Sequence, residues 1–187
     1  MSISGCIIAG GKSGRFGSDK SLHVFNGKPL VRHVYDAVHP VIDKIFIAAN
    51  DPEKFAFMGL EVVPDIIPDL GPLGGIYTAL ETFELKRVFV LPCDMPYLSS
   101  ELISFMCSIE HNFDIIVPRI GEWYQPLHAI YSHRCGEAIR KSIEKKNYKM
   151  TGFYNGMNIR IITEDEVHRF GNPEIIFKNV NFREDIE

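Results

Sequence analysis

Ile3-Ser4-Gly5-Cys6-Ile7-Ile8-Ala9-Gly10-Gly11-Lys12-Ser13-Gly14-Arg15-Phe16-Gly17-Ser18-Asp19-Lys20 begins as an apolar run and breaks off into glycine and charge. Ile3 to Ile8 has the length and β-branched content of a buried strand. The twelve residues from Ala9 to Lys20 then carry four glycines and three cations. Glycine lets the backbone approach a ligand closely, so exposed N–H groups can wrap phosphate oxygens while the cations offset their charge. The segment is a phosphate cradle by chemistry. A solvated turn rich in glycine is the bland alternative, but such a turn has no use for three cations after a buried strand. Neither G-x-x-x-x-G-K-[ST] nor G-x-G-x-x-G aligns with it, which removes the two common glycine loops.

Outward from this loop, short apolar runs alternate with amphipathic stretches of helical period. That is the pattern of a mostly parallel sheet flanked by helices. Lys44 to Ala49, Arg87 to Leu91, Asp114 to Pro118 and Leu127 to Tyr131 read as further strands. Asn158 to Thr163 and Ile175 to Val180 read as two late ones. Pro29 to Val38 reads as a helix with proline in its first turn and Leu30, Val31, Val34 and Val38 on one face. Leu73 to Phe83, Ser99 to Ile109 and His133 to Lys145 supply the other helices. No linker, repeat or low-complexity segment interrupts the chain, so residues 1–187 are expected to form one domain.

Composition narrows the class. With 45% hydrophobic and 24% charged residues the chain lies outside the disordered and fibrous classes. Its net charge is −4 and its densest basic spot is only Lys145-Lys146, which excludes long nucleic acid as a partner. No apolar run approaches the roughly 20 residues that span a bilayer. The N-terminus lacks the basic stretch and cleavage site of a secretory signal, so no membrane partner and a cytoplasmic location are expected. Cys6, Cys93, Cys107 and Cys135 are too widely spaced for a zinc pattern and read as buried or idle thiols.

Ligands of open α/β sheets bind outside the carboxyl ends of the strands. Two more motifs fall there. Leu91-Pro92-Cys93-Asp94-Met95-Pro96 puts a carboxylate directly after an apolar strand. Mg²⁺ keeps few protein ligands, so one such carboxylate can hold it while nucleotide phosphates fill other positions. An aspartate that turns the chain before Pro96 or caps the next helix fits the same residues, and both readings stand. Val63-Pro64-Asp65-Ile66-Ile67-Pro68-Asp69-Leu70-Gly71-Pro72-Leu73-Gly74-Gly75 runs from a strand end through glycines into a helix. There Asp65 or Asp69 can accept hydrogen bonds from a base or sugar, and the glycines leave room for a flat ring.

Ile8-Ala9-Gly10-Gly11, Arg15-Phe16-Gly17, Asp19-Lys20, Gly27-Lys28-Pro29-Leu30, Asp65, Gly71-Pro72-Leu73, Cys93-Asp94-Met95-Pro96 and Asn179-Val180-Asn181 form an ordered series across nearly the whole chain. In this series the chain closely resembles the molybdenum cofactor guanylyltransferases. The resemblance implies a Rossmann-like three-layer α/β/α sandwich of the nucleotide-diphospho-sugar transferase type. It implies an enzyme that transfers GMP from GTP to the terminal phosphate of molybdopterin with the aid of Mg²⁺, releasing pyrophosphate and leaving a guanine dinucleotide cofactor. By position, Ile8, Ala9, Gly10 and Gly11 would meet the nucleotide through backbone, and Lys20 its phosphates. Asp65 would meet the nucleoside, Asp94 both GTP and the metal, and Arg15 the β- and γ-phosphates, while Asn50, at the end of the second strand, is a further nucleotide-binding candidate. Asn181 falls near the metal in the same scheme. The implied protein partners are transient ones, from molybdenum cofactor biosynthesis or cofactor-accepting enzymes. Gly10 carries the base assignment, because related cytidylyltransferases tend to have alanine there.

Phe16 stands where the family usually has methionine, and Gln125-Pro126-Leu127-His128 matches the acceptor-facing region only approximately. Two rivals follow: a nucleotidyltransferase using CTP, UTP or GTP on another phosphorylated acceptor, and a nucleotide-binding regulator that does not turn over. Retention of Arg15, Lys20 and Asp94 together speaks against the second. The acceptor phosphate is already ionised near neutral pH, its second pKa being about 6, so the reaction needs no general base. The sequence offers no Ser-His-Asp or Cys-His set that would supply one.

Overall fold

The computed structural model describes residues 3–9, 20–83, 86–110 and 112–180. The expected contacts at Gly10, Gly11, Arg15 and Asn181 lie outside these residues. The chain orders as β1 (Ser4–Ile8), β2 (Val24–Phe25), β3 (Lys28–Pro29), α1 (Leu30–Val38), β4 (Ile45–Ala48), β5 (Glu61–Val63), α2 (Pro72–Thr82), β6 (Arg87–Pro92) and α3 (Ser100–Ser108). It continues with β7 (Ile115–Ile120), β8 (Trp123–Tyr124), β9 (Ala129–Ser132), α4 (Arg134–Glu144), β10 (Ile159–Ile162), α5 (Glu164–His168) and α6 (Pro173–Ile176).

Among the described residues the main sheet runs β10-β7-β9-β6-β1-β4-β5, with β8 paired to β7 outside that path. Pairs β1–β4, β1–β6, β4–β5 and β7–β10 are parallel, whereas β9 lies antiparallel between β6 and β7. Because side chains alternate along a strand, each central strand feeds two cores. Ile7, Ile47, Phe89 and Leu91 enter one core, with Val31, Val34 and Val38 of α1 and Leu102, Ile103 and Met106 of α3. Cys6, Ile8, Phe46, Val88 and Val90 enter the other, with Leu73, Ile76 and Ala79 of α2 and Cys135 and Ile139 of α4. Two helical layers on a mostly parallel sheet make the α/β sandwich that the alternating pattern implies, in the Rossmann-like three-layer form that the resemblance implies. Burying each such Val, Leu or Ile contributes about 1.5–3 kcal/mol, so the central strands anchor the whole edge on which the loops stand.

Three departures from the sequence pattern have local causes. Ile175 to Val180 is not a strand: Asn172 accepts a hydrogen bond from the Glu174 N–H and Pro173 takes the first helical position, which starts α6 instead. The strand expected from Leu127 begins two residues later, because the His128 N–H turns back onto the Gln125 carbonyl (2.9 Å). Pro29 precedes α1 rather than entering it, since it pairs with Val24 in the small β2–β3 hairpin.

Candidate active site

Strands β6, β1, β4 and β5 are consecutive neighbours and all parallel, so their carboxyl ends share one edge. The backbone ladder continues to that edge: the Cys93 N–H donates to the Ile8 carbonyl (3.1 Å) and the Ala9 N–H to the Ala48 carbonyl (3.0 Å). Ile8 is therefore buried and bonded on both sides, and its side chain serves packing. A Cβ on Gly75 would stand 3.0 Å from the Ile8 Cδ1, so glycine is what lets the start of α2 lie against the end of β1. Gly74 likewise fits close beneath Leu70 and the Ile67 carbonyl. These two glycines are used in helix packing, not in clearing space for a flat ring.

Lys20 opens a short 3-10 turn, Lys20–Leu22, whose Ser21 is buried and whose Leu22 packs against the first core. This seats the lysine against the sheet at the start of the described segment 20–83. Its Nζ lies 2.6 Å from the Asp94 Oδ2, between residues 74 positions apart, with side chains only 16% and 22% exposed. The Asp94 carbonyl accepts from the Val180 N–H (2.9 Å), which fastens the segment after α6 to the same point. A second pair stands on the neighbouring strand ends. The Asn50 Nδ2 donates to the Asp65 Oδ2 (3.0 Å), and the Asp65 N–H donates to the Asn50 Oδ1 (2.8 Å). Burial pushes the Asp65 carboxyl above its usual pKa, while the hydrogen bond from Asn50 works against that rise.

Asp94 follows β6 and Asp65 follows β5, three strand spacings away, or about 14 Å. That span suits an extended nucleotide, with phosphates at one pair and nucleoside at the other. Among the described residues no three His, Cys, Asp or Glu side chains converge. Asp94 therefore offers a single carboxylate beside a cation and an open strand edge, a donor set that suits Mg²⁺ shared with phosphate oxygens.

The MobA-like NTP transferase domain model matches residues 5–157. The chain belongs to that family. A probable molybdenum cofactor guanylyltransferase of Pelotomaculum thermopropionicum is 33% identical over 186 residues, covering all of this chain and 91% of that protein. Another, from Natranaerobius thermophilus, is 32% identical and covers 99% of this chain and 93% of its own. The crystal structure of molybdopterin-guanine dinucleotide biosynthesis protein A from Archaeoglobus fulgidus superposes with a TM-score of 0.82 at 21% identity, covering 98% of this chain and 94% of that one. The family assignment makes this chain a nucleotidyltransferase, and the likeness to the Archaeoglobus protein bears out the α/β fold.

Within this family member the sequence reading missed two features of the same edge. His128 is fully buried between Phe89 (5.1 Å) and Phe177 (5.3 Å), and among the described residues neither ring nitrogen has a hydrogen-bond partner. Burial pushes its imidazole down to about 3. The β7–β8 hairpin was missed because its second strand is only two residues long; Gly121 followed shortly by the chain's one tryptophan was the available signal. Two of the thiols, Cys6 and Cys135, are buried as expected, and burial pushes Cys107 and Cys135 up to about 12.

Proposed function

We propose that this chain transfers the GMP unit of GTP to the terminal phosphate of molybdopterin in a Mg²⁺-dependent reaction. The observation that carries the proposal is the Lys20–Asp94 pair, held at 2.6 Å on the strand edge of a chain related over its full length to guanylyltransferases. An oxygen of the acceptor phosphate attacks the α-phosphorus of GTP; the new O–P bond forms as the bond to the β-phosphate oxygen breaks, and pyrophosphate leaves with that electron pair. The acceptor oxygen is already anionic, so what the protein supplies is position and charge neutralisation.

Lys20 stabilises charge gathering on the α-phosphate. Asn50 and Asp65 hold the nucleoside, and the Ala9 backbone borders the phosphates. Arg15 keeps the role that the family pattern gives it, at the β- and γ-phosphates. Asp94 is the residue that would hold Mg²⁺, which supplies further neutralisation of phosphate charge. In the ligand-free chain the Lys20–Asp94 bond keeps both groups in place, and each exchanges part of that bond for phosphate or metal on binding. The reading extends to a single catalytic domain over residues 1–187, acting in the cytoplasm and meeting cofactor-biosynthesis or cofactor-accepting proteins transiently.

The test is a thermal-shift titration with GTP, CTP, UTP and ATP, each with and without Mg²⁺. Ligand at a hundred times its Kd stabilises by about 2.7 kcal/mol. The largest shift is expected with GTP and Mg²⁺ together, followed by pyrophosphate release once molybdopterin is supplied. A larger shift with CTP or UTP would overturn the base assignment.

A further inference from the structure

We propose that Trp123 is the platform on which the ring system of the acceptor stacks, an inference that rests on the guanylyl-transfer reading above. The nucleoside pair Asn50–Asp65 occupies the β4–β5 side of Asp94, so the acceptor must approach from the other side, over β9 and β7. β7 and β6 are both antiparallel to β9 and hence parallel to one another. The tip that follows β7 therefore stands on the same edge as Asp94. β6 and β7 are two strand spacings apart, about 10 Å, a separation a phosphorylated pterin can span between its phosphate and its rings.

The face agrees as well. Ile120 pairs with Trp123 across the hairpin, and cross-strand partners project to the same side. Ile120 packs against the core that also takes in Leu22, Cys93 and Phe177, so Trp123 shares the face of the Lys20–Asp94 site. Its neighbour Tyr124 projects oppositely and packs edge-on against Tyr154, with ring centroids 5.5 Å apart.

Trp123 is nevertheless 78% exposed, an indole left in water on a strand pair too short to need it. The hairpin beneath it is tied down at both ends. The Gly121 N–H donates to the Glu164 Oε2 (2.9 Å), and the Gln125 N–H donates to the Pro118 carbonyl (2.8 Å). Gly121 has φ +55°, the conformation a two-residue hairpin loop of the II′ kind demands at its first position. With the hairpin backbone fixed in this way, only the side-chain torsions of Trp123 have to settle when a ligand ring stacks on it. A pterin, planar and heteroaromatic, stacks as nucleobases do on such side chains.

Because Trp123 is the only tryptophan of the chain, its emission reports on this site alone. Neopterin phosphate, a pterin with a terminal phosphate monoester, is expected to quench it saturably. The decisive measurement is steady-state transfer from GTP to molybdopterin by the wild type, W123A and W123F. In W123A the KM for molybdopterin should rise roughly tenfold or more. kcat and the KM for GTP should stay near wild type, and W123F should recover most of the loss. An acceptor KM in W123A equal to that of the wild type, with dinucleotide formed by both, would overturn this inference alone. No dinucleotide from the wild type would overturn the transfer reaction and this inference with it.

Discussion

Both edges of the central sheet collect charged side chains, and they hold them differently. At the carboxyl edge Lys20 and Asp94 bond side chain to side chain while still partly open to solvent, and Asn50 braces Asp65 in the same manner one pair of strands away. At the opposite edge Arg87 and Asp114 are 5% and 8% exposed and each bonds at least one buried main-chain group, although Asp114 also meets the exposed Arg134 at 3.7 Å. The Arg87 Nη2 donates to the Phe113 carbonyl (2.6 Å), and the Asp114 carboxylate accepts from the Asn158 N–H (3.0 Å) and the Ser132 Oγ (3.3 Å). These bonds tie together the starts of β6, β7 and β10 and the end of β9. A charge whose partners are buried main-chain groups cannot turn to a ligand without leaving those groups unsatisfied, which costs about 1–3 kcal/mol each. A charge paired with another partly exposed side chain can exchange partners at a lower cost. The chemistry of a strand end is thus set less by which charges it holds than by what they are bonded to.

The sharpest way to break this comparison is to remove one carboxylate from each edge. Asp94→Ala and Lys20→Ala are expected to lower kcat by about 10²–10³. Both should change unfolding free energy by about 1 kcal/mol or less, as for other partly exposed ion pairs. Asp114→Ala should do the reverse, costing about 3 kcal/mol in urea unfolding as buried donors lose their acceptor, with the turnover of the folded fraction unchanged. If Asp114→Ala cut kcat while sparing stability, the division of labour between the edges would be wrong.

His128 tests the boundary, because it is a polar ring beneath the functional edge that no described residue satisfies. Its imidazole is pushed from 6.5 to about 3 by burial. Between those values the unfolded chain binds a proton that the folded chain refuses. Stability therefore falls as pH drops below 6.5, and this contribution levels off only near 3. Urea melts at pH 7 and pH 5 should show the wild type losing about 2 kcal/mol more than His128→Phe over that interval. Equal losses would mean that the ring takes up its proton in the folded state. The smallest expected effect is that of Asn50→Ala, about tenfold in the KM for GTP, as for one hydrogen bond to a charged group. A change confined to the KM for molybdopterin would move Asn50 to the acceptor side.

Much of the frame was legible beforehand. The strands expected at Ile3 to Ile8, Lys44 to Ala49, Arg87 to Leu91 and Asp114 to Pro118 appear within a residue or two as β1, β4, β6 and β7. The helices expected over Pro29 to Val38, Leu73 to Phe83, Ser99 to Ile109 and His133 to Lys145 appear as α1 to α4. Periodicity failed where one strong end signal outweighed it, as at Asn172-Pro173. It also failed where elements were too short to show a period, as in β8, α5 and the 3-10 segment Pro52–Met58. Of the site, Asp65 and Asp94 stood out because charge close after an apolar run needs a reason, and Lys20 because it closes a glycine loop that carries three cations. Trp123 did not stand out, since a lone aromatic in a short polar stretch has no pattern to violate, and His128, named only within the approximate match Gln125 to His128, carried no sign of its burial.

The amino-acid sequence by itself determined the alternation of strand and helix and the chemical inventory at each strand end. Both depend on neighbours a few positions apart along the chain. Only the tertiary structure decided that β6 lies beside β1, which brings Asp94 to Lys20 across 74 residues, and that β9 runs antiparallel between β6 and β7. It also decided that Gly74 and Gly75 serve packing, that His128 is sealed between two phenylalanines, and that Trp123 is left in the open. Strand order and burial are set by how all the apolar faces are covered at once, and no local window of sequence contains that sum.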